Sequence, residues 1–264
     1  MTPGVVYFVG AGPGDPELLT LKAARLIEQA DLVVWADSLV RPEVVALARP
    51  DAEVVGSAAL TLEQITDVLV GASGAGRRIV RLQSGDPAVY GALHEQLVAL
   101  EAAGVPWEIV PGVSSAFAAA ARLGAELTVP GVAQTVIFTR VANRTSTVPS
   151  NERLEALARH GATLVIFLSA SVIEQVVEDL VAGGYPPDCP AAVVYRVTWP
   201  DEHIIRGHLS QIAPAARAAR LTKQALILVG PALDPALRQV HASRRSHLYR
   251  ADYTHLFRKA SENP

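Results

Sequence analysis

Val5-Val6-Tyr7-Phe8-Val9-Gly10-Ala11-Gly12-Pro13-Gly14-Asp15-Pro16-Glu17-Leu18-Leu19-Thr20 is the stretch from which the rest of the fold is read. Its first five residues are β-branched or aromatic, a run suited to a strand buried on both faces, and it leads through a glycine–proline loop to a helix-like segment. Strand, tight loop and helix are the layout of a ligand-binding first βα turn. Gly10, Gly12 and Gly14, with Asp37 about one βα unit later, invite a dinucleotide fingerprint and hence a dinucleotide-dependent oxidoreductase. The details oppose it. The third fingerprint glycine should fall where Asp15 stands, and Pro13 and Pro16 prevent a helix from starting directly at the second glycine. A helix can begin only near Glu17, which leaves a longer and stiffer loop than a phosphate cradle.

Beyond this loop, Leu18, Leu21, Ala24, Arg25 and Ile27 recur at helical spacing, and residues 32–35 form a second buried strand that exits into Ala36-Asp37-Ser38. A third strand at 53–55 leads to Gly56-Ser57, and a helix over 62–70 ends in a small-residue loop at 71–76. The fourth strand, 79–82, runs into Gln83-Ser84-Gly85-Asp86-Pro87-Ala88-Val89-Tyr90-Gly91, followed by a helix over 92–102. The fifth, 107–110, exits into Pro111-Gly112-Val113-Ser114-Ser115. Glycine loops that follow strands predict a mainly parallel sheet with its ligand crevice beyond the strand C-termini. Past Gly124 strands outnumber helices, which reach over 151–159, 172–181 and 209–217, and residues 191–197 and 203–206 read as an antiparallel hairpin. The expected class is α/β: an N-terminal domain over 1–112 with a mainly parallel sheet, and a C-terminal domain over 113–264 with a mixed sheet and a polar tail.

Composition bounds the rest. The chain has 264 residues, half of them hydrophobic and 19% charged, enough for a sizeable core in two domains. No apolar run is long enough to span a bilayer, and no basic region precedes the first strand, so the cytoplasm is the default location. A lone Cys189 excludes an internal disulfide framework and a multi-cysteine metal site, and the seven histidines are scattered, so no protein-bound metal is expected. A net charge of −3 gives no reason to expect nucleic acid.

In Ser84-Gly85-Asp86-Pro87, glycine lets a ligand approach the backbone, proline fixes the turn, and Asp86 supplies an anionic acceptor. A plain Asp-Pro turn is the alternative; glycine loops after strands one, four and five together favour a shared crevice. The runs from Val9 to Pro16 with Leu18-Leu19-Thr20-Leu21-Lys22, Arg81-Leu82 before Gly85-Asp86-Pro87, and Val110-Pro111-Gly112-Val113-Ser114-Ser115 resemble the ordered signatures of the tetrapyrrole methylase family. Within it, Ser84 to Gly91, Tyr195-Arg196-Val197-Thr198-Trp199-Pro200-Asp201, and the tail segments Ser246-His247-Leu248-Tyr249 and Tyr253-Thr254-His255-Leu256-Phe257-Arg258 resemble the precorrin-4 C(11)-methyltransferases of cobalamin synthesis. Uroporphyrinogen-III methylases carry two glycines before the aspartate and a lysine after strand three, where this chain has Ser84 and Ser57.

The resemblance implies two α/β domains with S-adenosylmethionine in the cleft between them, an anionic tetrapyrrole acceptor (precorrin-4 or cobalt-precorrin-4), and a homodimer. Carried over position by position, it implies a cofactor bed of Pro13, Ser84, Gly85, Asp86, Val89, Ser114 and Ser115, with Leu168 and Val197 packing on the adenine. Read without it, Leu168 and Val197 are ordinary core. Asp37 is the candidate for proton or charge handling, its alternative being a turn residue. Arg81, Arg122, Arg140 and Arg144 are the arginines expected to meet acceptor carboxylates, with Arg244, Arg245 and Arg250 behind them. Methylation of another ring position, or of uroporphyrinogen III, is the alternative within the fold.

Overall fold

The computed structural model describes residues 2–142, 147–239 and 252–260. The chain forms two compact units, one from Met1–Ala119 with Arg196–His203, the other from Ala120–Tyr195 with the chain from Ile204 on. In the first unit β1 (Val6–Gly10), α1 (Leu21–Glu28), β2 (Leu32–Trp35), α2 (Pro42–Val45), β3 (Glu53–Gly56), α3 (Leu62–Gly74), β4 (Ile79–Gln83), α4 (Leu93–Ala102) and β5 (Trp107–Val110) alternate, and α5 (Ser115–Leu123) follows. The five strands pair in parallel in the order β3-β2-β4-β1-β5.

Alternating side chains divide the strands between two apolar layers. Val9, Val33, Val80, Leu82 and Val110 pack with Ala23, Leu26 and Ile27 of α1 and with Val44 and Val45 of α2. Val6, Phe8, Leu32, Val34 and Ile79 pack with Ile65 and Leu69 of α3 and Leu100 of α4. Fully burying a Leu or Phe side chain stabilises by about 1.5–3 kcal/mol, so both faces of the sheet are firmly held. The layers also locate a functional edge. The chain leaves β1 through α1 on one face toward β2, and leaves the adjacent β4 through α4 on the other face toward β5. Neighbouring strands whose connections diverge in this way make a topological switch point, the place where open parallel sheets bind ligands.

Two local expectations change. The first α-helix starts at Leu21 rather than near Glu17, because Pro16–Leu18 closes a single 3₁₀ turn and Thr20, extended at ψ 148°, accepts a hydrogen bond from the Ala23 amide and caps the helix. The small-residue segment expected as a loop at 71–76 continues α3 to Gly74. Two glycines in a helix cost roughly 1 kcal/mol each, but Ala72 and Ser73 are buried there and the Ser73 hydroxyl donates to the Gly4 carbonyl at 2.6 Å. Tertiary packing outweighs propensity at that end.

The second unit contains β6 (Val136–Arg140), α6 (Leu154–Ala158), β7 (Thr163–Phe167), α7 (Ile173–Ala182), β8 (Pro190–Tyr195), β9 (His203–His208), α8 (Leu209–Ala218) and β10 (Ala225–Val229). Its sheet is mixed, in the order β6-β7-β10-β8-β9, with β6 parallel to β7 and β10 antiparallel to both β7 and β8. β8 lies next to β9, where the hairpin was expected. Leu164, Ile166, Val193, Leu209, Ile212 and Ile227 centre its core. Cys189 belongs to that core, and burial pushes its thiol up to about 11, so it packs as a small apolar side chain.

Candidate functional site

The loops after β1, β4 and β5 meet backbone to backbone at the switch point. Ala11 donates its amide to the Gln83 carbonyl at 2.8 Å, and Gly12 and Gly85 exchange hydrogen bonds at 3.2 and 2.8 Å in a short antiparallel bridge. Only glycine fits where they touch: a Cβ on Gly112 would lie 2.2 Å from the Gly85 carbonyl oxygen and 2.7 Å from the Gly10 Cα. Asp86 locks the arrangement. One carboxylate oxygen accepts from the Ala88 amide at 2.8 Å and closes its own turn, while the other accepts from the Gly112 amide at 3.0 Å and ties the β4 loop to the β5 loop. Each oxygen keeps a further lone pair, so Asp86 is a clamp first and an available acceptor second.

The connection between β8 and β9 belongs to this same unit and pins the first loop. The Trp199 indole donates to the Pro13 carbonyl at 3.1 Å, and the Thr198 hydroxyl accepts from the Asp15 amide at 2.9 Å. The indole edge occupies the space a Gly14 side chain would need, since a Cβ there would be 2.4 Å from Cδ1. Arg196 stacks over the indole at 3.9 Å and pairs with Asp201 at 2.5 Å, and Glu202 accepts from the Thr198 amide at 2.7 Å. Thr198 and Trp199 were not among the expected site residues. The one local signal for them is Gly14, whose φ of 155° and contact with the indole both call for glycine.

The other expected residues fall as follows. Pro13 is buried, Ser84 and Val89 are partly open on the β4 loop, and Ser114 is buried with its hydroxyl accepting from the Ala116 amide at 3.3 Å ahead of α5, whose first residue is Ser115. Val197 is buried in the Trp199 connection of the first unit. Leu168 follows β7 in the second unit, 54% exposed, with a left-handed φ of 53°. An apolar side chain held open in a strained conformation is unusual for core.

Asp37 is exposed at the end of β2, accepts from the Ala58 amide at 2.7 Å, and lies against Gly56. Arg81 sits within the sheet, 6% exposed, donating to Gln96 and Ser57 at 3.0 Å each. Its charged group is spent on internal acceptors, unlike that of a surface arginine. Burial lowers its pKa to about 10, with the negative charge of Asp37 acting in the opposite direction. Arg122 is exposed near the end of α5 and Arg140 half-buried at the end of β6. Arg144, Arg244, Arg245, Arg250 and the Ser246–Tyr249 segment lie outside the described residues. Among the described residues no group of three or more His, Cys, Asp or Glu side chains could hold a metal ion, and no helix is long and apolar enough to cross a membrane.

Residues 5–213 match the model of the tetrapyrrole (corrin/porphyrin) methylases. The chain is 46% identical over 254 residues to a cobalt-precorrin-4 C(11)-methyltransferase of Priestia megaterium, covering 96% of this chain and 97% of that protein. It is also 46% identical to a precorrin-4 C(11)-methyltransferase of Pseudomonas aeruginosa, with 96% and 98% covered. Among solved structures, a cobalamin biosynthetic enzyme, cobalt precorrin-4 methyltransferase, superposes with a TM-score of 0.85 at 46% identity, covering 88% of this chain and 96% of that one. A uroporphyrin-III C-methyl transferase from Thermus thermophilus complexed with S-adenosylhomocysteine reaches 0.73 at 33% identity, with 90% and 100% covered.

Proposed function

The chain belongs to the tetrapyrrole (corrin/porphyrin) methylase family, and from that premise we propose that it transfers the methyl group of S-adenosylmethionine to C(11) of precorrin-4 or its cobalt form in cobalamin biosynthesis. The observation that carries this reading on the structural side is the meeting of three side-chain-free loop backbones at the β1/β4 switch point, clamped by Asp86. Such a bed suits a ligand with a zwitterionic end and ribose hydroxyls: it offers backbone groups, the partly open Ser84 and Ser115 hydroxyls and the apolar Val89. Pro13, Gly85, Asp86 and Ser114 complete the proposed bed, with Leu168 and Val197 as apolar surface for the adenine.

S-adenosylmethionine, when bound, supplies a methyl group already activated by the positive sulfur, and the acceptor carbon is nucleophilic through its conjugated nitrogens. The chain's own work is therefore to bind, orient and exclude water. Alignment of this kind contributes up to about 7–11 kcal/mol when the reacting atoms are well placed. Arg122 and Arg140 are the described arginines proposed to receive acceptor carboxylates, and Asp37 is proposed to handle charge or a proton near the acceptor. The same reading makes the protein a cytoplasmic homodimer that needs no bound metal for the transfer.

Incubation of the protein with deuteromethyl S-adenosylmethionine and with verified precorrin-4 or cobalt-precorrin-4 tests the reading. Mass spectrometry should show one labelled methyl gained, NMR should place it at C(11), and the preferred acceptor names the route. A folded protein that labels neither acceptor overturns the assignment, and label at another carbon corrects the ring position.

A further inference from the structure

Beneath the β4 loop lies a cluster of buried polar side chains that the proposed bed does not use. Ser57, Arg81, Gln83 and Gln96 are 8, 6, 3 and 3% exposed. Arg81 shares its register with Phe8 and Val34 and so faces the α3/α4 side of the sheet. Its Nε donates to Gln96 Oε1 at 3.0 Å and one Nη donates to Ser57 Oγ at 3.0 Å and to the Val34 carbonyl at 3.4 Å. These acceptors are all neutral. A buried guanidinium without a paired carboxylate is less favourable for stability than a hydrocarbon of the same shape, so its retention calls for another reason.

The next bonds supply one. Gln96 Nε2 donates to the Ala92 carbonyl at 2.9 Å, and Gln83 Nε2 donates to the Gly91 carbonyl at 2.6 Å. Those carbonyls belong to a segment in which two non-glycine residues, Tyr90 at φ 56° and Ala92 at φ 48°, are left-handed. Such conformations persist only where the surroundings hold them. Gln83 spends its amide on this bond while its own Oε1 stays buried without a partner. In the other direction, Ser57 donates to the Trp35 carbonyl at 2.9 Å, and the next residue, Ala58, gives its amide to Asp37 at 2.7 Å. A continuous set of hydrogen bonds and one peptide step thus runs from the loop after β2, through the turn after β3 and the middle of β4, to the start of α4.

Building on the proposed methyl transfer, we infer that Arg81 is a positioning residue whose fork, through Gln96 and Ser57, fixes the separation between the Tyr90–Ala92 segment and Asp37 along the C-terminal edge of the first sheet. The guanidinium is suited to this because its donors are rigidly spaced, which a flexible lysine ammonium cannot reproduce. Displacement of transferring groups by a fraction of an ångström slows a reaction that depends on alignment, while a cofactor bed clamped separately by Asp86 keeps its affinity.

Two variants read this directly, each followed by thermal melting, by calorimetric affinity for S-adenosylhomocysteine and by the single-turnover methyl-transfer rate. Arg81→Met removes a costly buried charge but leaves Gln96 Oε1 and the Val34 carbonyl without their donor, so it should stay folded with a melting temperature within a few degrees of wild type, bind S-adenosylhomocysteine within about threefold of wild type, and transfer methyl about 10- to 100-fold more slowly. Gln96→Glu keeps an acceptor for Arg81 and gives it a counter-charge, but loses the donor to Ala92; it should remain folded and show a comparable rate loss. Wild-type rates in either folded variant overturn the inference. So does a rate loss that runs in step with lost affinity for S-adenosylhomocysteine, since that is the mark of a merely structural role. If the wild type binds S-adenosylhomocysteine but methylates neither acceptor, the functional reading fails and takes this role with it.

Discussion

Replacing Asp86 with alanine should raise the dissociation constant for S-adenosylhomocysteine about 30-fold or more, because hydrogen bonds to charged groups are worth about 1.5–3 kcal/mol each. The carboxylate is the acceptor for two backbone amides on two different loops, at Ala88 and Gly112, and alanine leaves both without their partner. The partial exposure of Asp86 lets water replace some of that, which brings the expected loss below the low end of two such bonds, to about 2 kcal/mol or 30-fold. Asp86→Asn separates charge from geometry. An amide side chain can accept at one of the two backbone N–H groups but turns its own NH₂ toward the other, so it should fall between wild type and alanine. Calorimetric titration of the folded variants decides the matter, and near-normal affinity in Asp86→Ala would contradict the proposed cofactor bed.

The second large effect is expected at Gly112→Ala. The added methyl would have to occupy space 2.2 Å from the Gly85 carbonyl oxygen and 2.7 Å from the Gly10 Cα, and both are backbone atoms that cannot swing aside. Inserting even one methyl into well-packed structure costs about 1–3 kcal/mol, and here relief requires two loops to part. The predicted outcome is a melting temperature lowered by several degrees and methyl transfer reduced at least 100-fold, on the order expected when reacting groups lose their alignment. Gly74→Ala serves as the control, because its Cβ would meet nothing within 4 Å and it sits in a helix where alanine is favoured. It should leave the rate unchanged and the stability equal or higher. Equal rates for Gly112→Ala and the control would show that the loop junction is not required for activity.

Much of the first sheet was legible because its strands are short apolar runs, each followed by a glycine loop, and a sheet built so must be mainly parallel. That the loops after β1, β4 and β5 converge also followed from the alternation. The direction in which Asp86 points did not, since a carboxylate in Gly-Asp-Pro reads as a ligand acceptor or as a plain turn residue; the Gly112 amide, 26 residues away, makes it a clamp between loops. Arg81 looked like an arginine available to an anionic acceptor. Its burial depends on Ser57 and Gln96, which reach it from the turn after β3 and from α4 and leave no periodic signal. Trp199 is separated from Pro13 by 186 positions, and no local rule joins them. The helix through Gly71 and Gly74 departs from the sequence for the opposite reason: local propensity favours a loop there, and tertiary burial overrides it.

Amide hydrogen exchange of the wild-type protein with and without S-adenosylhomocysteine, resolved to short peptides, reads the proposed cofactor bed loop by loop. Bound ligand should slow exchange in the peptides spanning 10–16, 84–90 and 112–116, the three loops beyond the β1, β4 and β5 C-termini, with little change in α3 or in the core of the second sheet. Saturating ligand that leaves these three segments unchanged while protecting another part of the chain would contradict that bed.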